Sequence, residues 1–152
     1  MNNWLNIGIA GVKLLKEKES FSSTWYLCPA KKMTIGWGHV KEQGDNFNVI
    51  DEEKGEELLK LDCKEATNAV KRWVTYELNQ NQFDALTVLI FNIGVSAFLK
   101  STLLKNLNLG KVQDAANQFD VWNKITVSGV RKVSRGLTIR RAEEKELFLK
   151  EL

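Results

Sequence analysis

The chain reads as an α+β protein, mostly helical, with a small antiparallel sheet lobe near the N-terminus and a helical lobe around a buried central helix. Three observations predict this. Phe83, Ala85, Leu86, Val88, Leu89, Ile90, Phe91 and Ile93 form a run apolar nearly all round, the mark of a helix buried on every side. Residues 24–27 and 33–40 are β-branched and aromatic runs around a turn, Cys28-Pro29-Ala30-Lys31-Lys32. Between these two regions, residues 51–73 carry an apolar stripe at helical spacing, which predicts one long connecting helix.

Size and composition suit one domain, residues 1–152, with the sheet lobe at about 20–50 and the helical lobe at about 74–152 packed with an N-terminal helix. Its 43% hydrophobic and 27% charged residues are ordinary for a globular chain. A net charge of +3 does not demand a nucleic-acid partner, and none is expected. Charge position says more. Glu42, Asp45, Asp51, Glu52, Glu53, Glu56 and Glu57 make an acidic middle, and Lys124, Arg131, Lys132, Arg135, Arg140 and Arg141 a basic segment without an acid. The basic segment reads as a solvated face, or as one that approaches an anionic polymer or membrane surface. One His and two widely separated Cys match no metal pattern, so no metal or cofactor is expected. The apolar N-terminus is interrupted at Lys13, short of the roughly 20 residues a bilayer core needs, so no membrane anchor is expected.

In order along the chain, Leu5, Ile9, Val12 and Leu15 recur at helical spacing and predict a core-facing first helix. The same phase places Glu19 on the buried side, where that helix ends. Gly36 and Gly38 mark a bend or a close backbone approach in the second strand run. Asp51 suits an N-cap followed by Glu52 and Glu53 in the first helical turn. Its helix carries Leu58 or Leu59, Ala66, Ala69, Val70 and Trp73 on the apolar stripe, and Asp62 falls among them. A buried carboxylate is costly unless paired, and His39 is the one histidine available. Asn79 and Gln82 resemble a capping box for the central helix, which Gly94 ends. Short helices follow at 101–108 and 112–122, then a turn-like basic stretch at 123–136 and an amphipathic closing helix at 137–149.

A carboxyl half buried at a helix end loses its charged form to desolvation, so its pKa rises. Such an acid can hold a proton near neutral pH and give it to a leaving oxygen, which glycoside cleavage requires. Glu19 fits that role, or is a surface residue at a frayed helix end. Cys28 and Thr34 lie where the hairpin can bring them together. Thr34 can donate to and accept from a water. Cys28 reads either as a small buried hydrophobe or as a thiol that positions that water.

Glu19, eight residues, Cys28, five residues, Thr34 and then Ile35-Gly36-Trp37-Gly38-His39 resemble the phage lysozyme (endolysin) family, glycoside hydrolase family 24. Leu78-Asn79-Gln80-Asn81-Gln82-Phe83, Phe91-Asn92-Ile93-Gly94, Phe119-Asp120-Val121-Trp122-Asn123 and Arg140-Arg141-Ala142-Glu143 resemble its later motifs. The resemblance covers nearly the whole chain. It implies a lysozyme-like two-lobed fold and a muramidase that cuts peptidoglycan, a lysozyme by activity, with Glu19, Cys28 and Thr34 as the catalytic set. Cys28 stands where many members carry Asp. Asn92 matches a substrate-contacting position, and His39 with Asp62 a structural pair. The resemblance further implies a monomer that needs no cofactor and passes from host cytoplasm to periplasm through a holin pore. Rival expectations are a lytic transglycosylase, a non-catalytic peptidoglycan-binding module, and redox control through a Cys28–Cys63 disulfide.

Overall fold

A computed structural model describes residues 1–151. The element order is α1 (Ile9–Lys18), β1 (Ser22–Leu27), β2 (Met33–Gly36), β3 (His39–Val40), α2 (Glu52–Asp62), α3 (Lys64–Trp73), α4 (Gln80–Ile93), α5 (Val95–Leu99), α6 (Thr102–Asn108), α7 (Val112–Asn117), β4 (Lys124–Val127), β5 (Val130–Val133) and α8 (Arg135–Leu149). A 3₁₀ turn, Gln118–Val121, follows α7. β1, β2 and β3 form one antiparallel sheet in that order, and β4 with β5 a separate hairpin.

Local chemistry sets the helix starts. Asp51 accepts from the Lys54 N–H at 2.8 Å and caps α2. Asn79 and Gln82 close a reciprocal capping box on α4. Gly94 ends α4 at a φ of 92°. The start of α1 is satisfied from a distance. Asp84, buried on α4, accepts from the Gly8 N–H at 2.9 Å and the Gly11 N–H at 3.0 Å. Those are two of the donors a helix leaves unpaired at its first turn.

The apolar residues gather in three groups. Ile35, Ile50 and Leu58, with Phe21, Trp25 and Phe47, hold the three-stranded sheet against α2. Val12, Leu14, Leu15, Trp37, Leu59, Cys63 and Val88 join α1, α2, α4 and the turn after β2. Phe83, Leu86, Leu89, Ile90, Phe98, Leu103, Leu107, Phe119 and Phe148 fill the helical lobe around α4. Gly55 of α2 is the close-approach point: a Cβ there would lie 2.8 Å from the Phe21 ring and 3.0 Å from Trp37. The sheet can sit this close to α2 because that position carries no side chain.

Several expectations need correction. The connecting segment is two helices, because Cys63 adopts a ψ of −10° and its N–H meets both the Leu59 and Leu61 carbonyls. That overwinds one turn and separates α2 from α3. Helix α1 begins only at Ile9, which is 90% exposed, while Leu5 is buried ahead of the helix against the helical lobe. The inward face of α1 is Gly11, Val12, Leu14 and Leu15. Trp73, expected on the buried stripe, is exposed at the C-terminal end of α3. The second strand run is two strands, folded back at 36–38. Residues 123–136, expected as turns, contain the β4–β5 hairpin and the start of α8.

Candidate active site

Glu19 is the residue at which the chain leaves α1. Its N–H still bonds the Leu15 carbonyl at 3.2 Å, but its backbone is already extended (φ −116°, ψ 134°). Its half-buried side chain lies over the turn between β2 and β3. A Cβ on Gly38 would sit 3.3 Å from Glu19 Oε2, and Gly38 has a φ of +82° that L side chains rarely adopt. Burial pushes the Glu19 carboxyl above the usual carboxylate range, and the Arg140 guanidinium of α8 pulls it partly back. Lys16 stabilises the same corner, bonding Glu56 at 2.6 Å with its ammonium 4.4 Å from the Trp37 ring centroid.

The β1–β2 hairpin positions Cys28 and Thr34. The Lys31 N–H closes a turn on the Cys28 carbonyl at 2.7 Å, with Pro29 at the second position, where its fixed φ is favourable. Lys31 follows in the left-handed region at φ 61°, and the Cys28 N–H meets the Lys32 carbonyl at 3.0 Å. This is the three-residue loop pattern of hairpins. Thr34 pairs with Tyr26, so Cys28 and Thr34 are diagonal neighbours on one face. Hydrogen bonding from the Lys32 backbone, the largest cause, holds the Cys28 thiol below its ordinary pKa. The single hydroxyl proton of Thr34 is committed to the Lys32 carbonyl at 3.0 Å. The Lys32 N–H is therefore the donor that favours the thiolate, and the Thr34 oxygen offers lone pairs beside the sulfur.

Glu19 and the Cys28–Thr34 pair share the sheet but not a contact. Thr34 pairs with Val40 across β2 and β3. Gly38, beneath Glu19, lies in the turn that leads into β3, two residues before Val40. Cys63 is free and buried against Val12, Leu15 and Trp37, with its thiol pushed up to about 12 by burial. Cys28 is also free, so the Cys28–Cys63 disulfide of the rival redox reading is not formed here.

His39 meets Asp62 through Nδ1 at 2.9 Å and Asp45 through Nε2 at 2.9 Å. It links β3, the following loop and the end of α2. Both hydrogen bonds favour the imidazolium and carry the His39 pKa above its ordinary value, against the opposing pull of burial. The two carboxylates respond differently. The Glu42 N–H and His39 hold Asp45 low, whereas burial raises Asp62 despite the same histidine. With both ring nitrogens facing carboxylates, the charged histidine is the form this geometry supports.

Asn92 sits exposed near the end of α4. Its Oδ1 accepts from Arg141 Nη2 at 2.8 Å. Arg141 and Glu144, both buried, pair at 2.9 Å on α8. Arg140, Asp45 and Arg141 are the site neighbours that sequence reasoning missed. Arg140 and Arg141 lay within the noticed basic segment, but no local pattern ties either to its partner.

A cavity of about 580 Å³ lies between α1 and α2, lined by Ile7, Ile9, Val12, Lys13, Lys16 and Glu56 among others. It holds none of the candidate residues, and Lys16–Glu56 and Lys60–Glu56 ion pairs line it. Asp62 alone of the candidates borders a hollow of about 170 Å³, between α3 and α4. Among the described residues no group of three or more His, Cys, Asp or Glu is placed to hold a metal ion. None of their helices is long and apolar enough to cross a membrane.

The chain matches the phage lysozyme family over residues 16–144. It is 42% identical over 147 residues to the endolysin of Bacillus phage B103, covering 95% of this chain and 54% of that one. It is 40% identical over 149 residues to the endolysin of Salmonella phage P22, covering 95% and 99%. The chain thus spans about half the length of the first relative and nearly all of the second. The muramidase domain of SpmX from Asticaccaulis excentricus superposes with a TM-score of 0.86 at 36% identity, covering 96% of this chain and 99% of that one. With the sheet, the central helix and the 16–144 match in agreement, this chain belongs to the phage lysozyme family.

Proposed function

We propose that the chain is a peptidoglycan-degrading endolysin, a muramidase that hydrolyses the β-1,4 bond between N-acetylmuramic acid and N-acetylglucosamine. The observation that carries this reading is the Glu19 carboxyl, raised by burial at the end of α1 and seated over the Gly38 turn of the sheet whose β1–β2 hairpin carries Cys28 and Thr34. The endolysin and muramidase names of its relatives support the substrate class.

Glu19 donates its proton to the glycosidic oxygen as the bond to the anomeric carbon breaks. Positive charge grows on the sugar ring, and a water attacks from the opposite face. Thr34 Oγ1 has spent its proton on the Lys32 carbonyl, so it accepts one hydrogen from that water. The Cys28 sulfur, as the thiolate that the Lys32 N–H favours, accepts the other and takes that proton as the new carbon–oxygen bond forms. The water then has a lone pair aimed outward at the ring. Inverting glycosidases act through a water held opposite the acid, and with Cys28 and Thr34 holding that water the product is the α-anomer. His39, Asp45 and Asp62 keep the sheet seated on α2, and Asn92, steadied by Arg141, contacts the sugar.

The same proposal includes action as a monomer in the periplasm after holin-dependent release. Mass spectrometry of digested sacculi tests the reaction. Muropeptides with reducing ends support hydrolysis, whereas 1,6-anhydro ends would assign a lytic transglycosylase and sink the proposal.

A further inference from the structure

The β4–β5 hairpin is built as if to be touched. Its strands pair only with each other, and the base closes where the Ser134 N–H meets the Asn123 carbonyl at 2.7 Å. All eight strand residues are exposed. The register pairs Ile125 with Lys132 and Val127 with Val130 on one face, and Lys124 with Val133 and Thr126 with Arg131 on the other. One face therefore carries three apolar residues with Lys132, and the other two cations, Lys124 and Arg131, with Thr126 and Val133. An isolated two-stranded hairpin is marginal in water, and Val130 and Val133 remain 56% and 63% exposed. Nothing in the packing of the core requires these side chains.

Its charge is unspent. Lys124, Arg131, Lys132 and Arg135 make no ion pair among the described residues, and no acid lies between Lys124 and Arg141. Its position is also specific. The hairpin runs into α8 at Ser134, and six residues on, about 9 Å along a helix, Arg140 stands beside Glu19. The next residue, Arg141, holds Asn92. The hairpin therefore rises from the element that carries the charged neighbour of the candidate acid.

We infer that the β4–β5 hairpin grips the carboxylate-bearing peptide stems of the wall polymer beside the glycan bond that is cut. The inference rests on the muramidase reading for its substrate. Stem peptides offer free carboxylates to Lys124 and Arg131 on one face of the hairpin and to Lys132 on the other, where Ile125, Val127 and Val130 also receive alanine methyls. Charge-assisted pairs with carboxylates supply orientation as well as attraction. A lipid surface fits less well, because the hairpin carries none of the Trp or Tyr that anchor proteins at a bilayer interface.

The test uses the full chain with Glu19→Gln as a binding-competent background, with and without the double change Arg131→Ser and Lys132→Ser. Co-sedimentation is measured with intact sacculi, with sacculi stripped of stem peptides by an amidase, and with phosphatidylglycerol vesicles. The double change is expected to weaken binding to intact sacculi about fivefold, the scale of two exposed ion pairs, and to leave binding to stripped strands unchanged. The charge-conserving pair Arg131→Lys and Lys132→Arg is expected to retain binding, with thermal midpoints equal throughout. Equal loss on both wall substrates, no loss on either, or loss confined to vesicles overturns the inference. Reducing-end release by the chain with Glu19 intact is scored separately, so a failed muramidase reading is told apart from a failed hairpin reading.

Discussion

Glu19 Oε2 lies 3.3 Å from the point where any side chain on Gly38 would begin. The candidate acid is therefore seated on bare backbone, at a position whose φ of +82° also disfavours a Cβ. Gly38→Ala is expected to push the carboxyl off its seat and strain the turn. Turnover on sacculi should fall at least about tenfold, with about 1–2 kcal/mol lost from stability by the strain. Steady-state kinetics alongside urea unfolding separates the two effects; turnover that tracks only the unfolded fraction would deny the seat a role.

Cys28 should act on the water rather than on substrate binding. Cys28→Ala is expected to lower kcat by about a hundredfold with KM little changed, the scale of one positioned proton-handling group. Cys28→Asp should restore activity, since a carboxylate accepts the same hydrogen. Normal turnover in the alanine variant would remove Cys28 from the mechanism.

The pH dependence of stability should carry the His39 signature. Its folded pKa is raised, so the contribution is fully present below the unfolded value of about 6.5 and is lost as pH rises through the folded one. Neutral imidazole has one N–H and cannot donate to both Asp45 and Asp62. The thermal midpoint is expected to decline above about pH 6.5 in the parent and to decline less in His39→Gln. Parallel profiles for the two proteins would contradict the assignment.

Asp84 should matter to stability without touching the chemistry. Asp84→Ala leaves the Gly8 and Gly11 N–H groups unpaired at the start of α1. The expected cost is about 2–4 kcal/mol, from one buried and one part-buried donor left unsatisfied. Urea unfolding measures it, and a loss below about 1 kcal/mol would mean that water or another acceptor replaces the carboxylate.

What could be read from the sequence was what short-range chemistry encodes. The Asn79–Gln82 box, the Asp51 cap and the Gly94 stop each depend on residues within one helical turn. Asp62 drew attention because an acid on an apolar stripe needs a partner, and His39 was the one histidine. Ile9 misled because periodicity gives a phase but not a starting point. With α1 beginning at Ile9, that residue turns outward while Leu5 is buried by a different route. Asp45 and Arg140 reach His39 and Glu19 only through the tertiary fold, so no spacing announced them. The β4–β5 hairpin did leave a signal, Lys-Ile-Thr-Val and Val-Arg-Lys-Val around Ser128-Gly129, a two-residue hairpin turn. Its basic composition and its lack of a buried face made it resemble a loop.

The most direct measurement is reducing-end release from purified sacculi by the parent chain and by Glu19→Gln, with thermal midpoints recorded for both. Glutamine keeps the shape of the side chain and cannot donate the proton. The account predicts that kcat falls by about a thousandfold or more while the fold is kept. A Glu19→Gln protein that clears sacculi at the parent rate would contradict it.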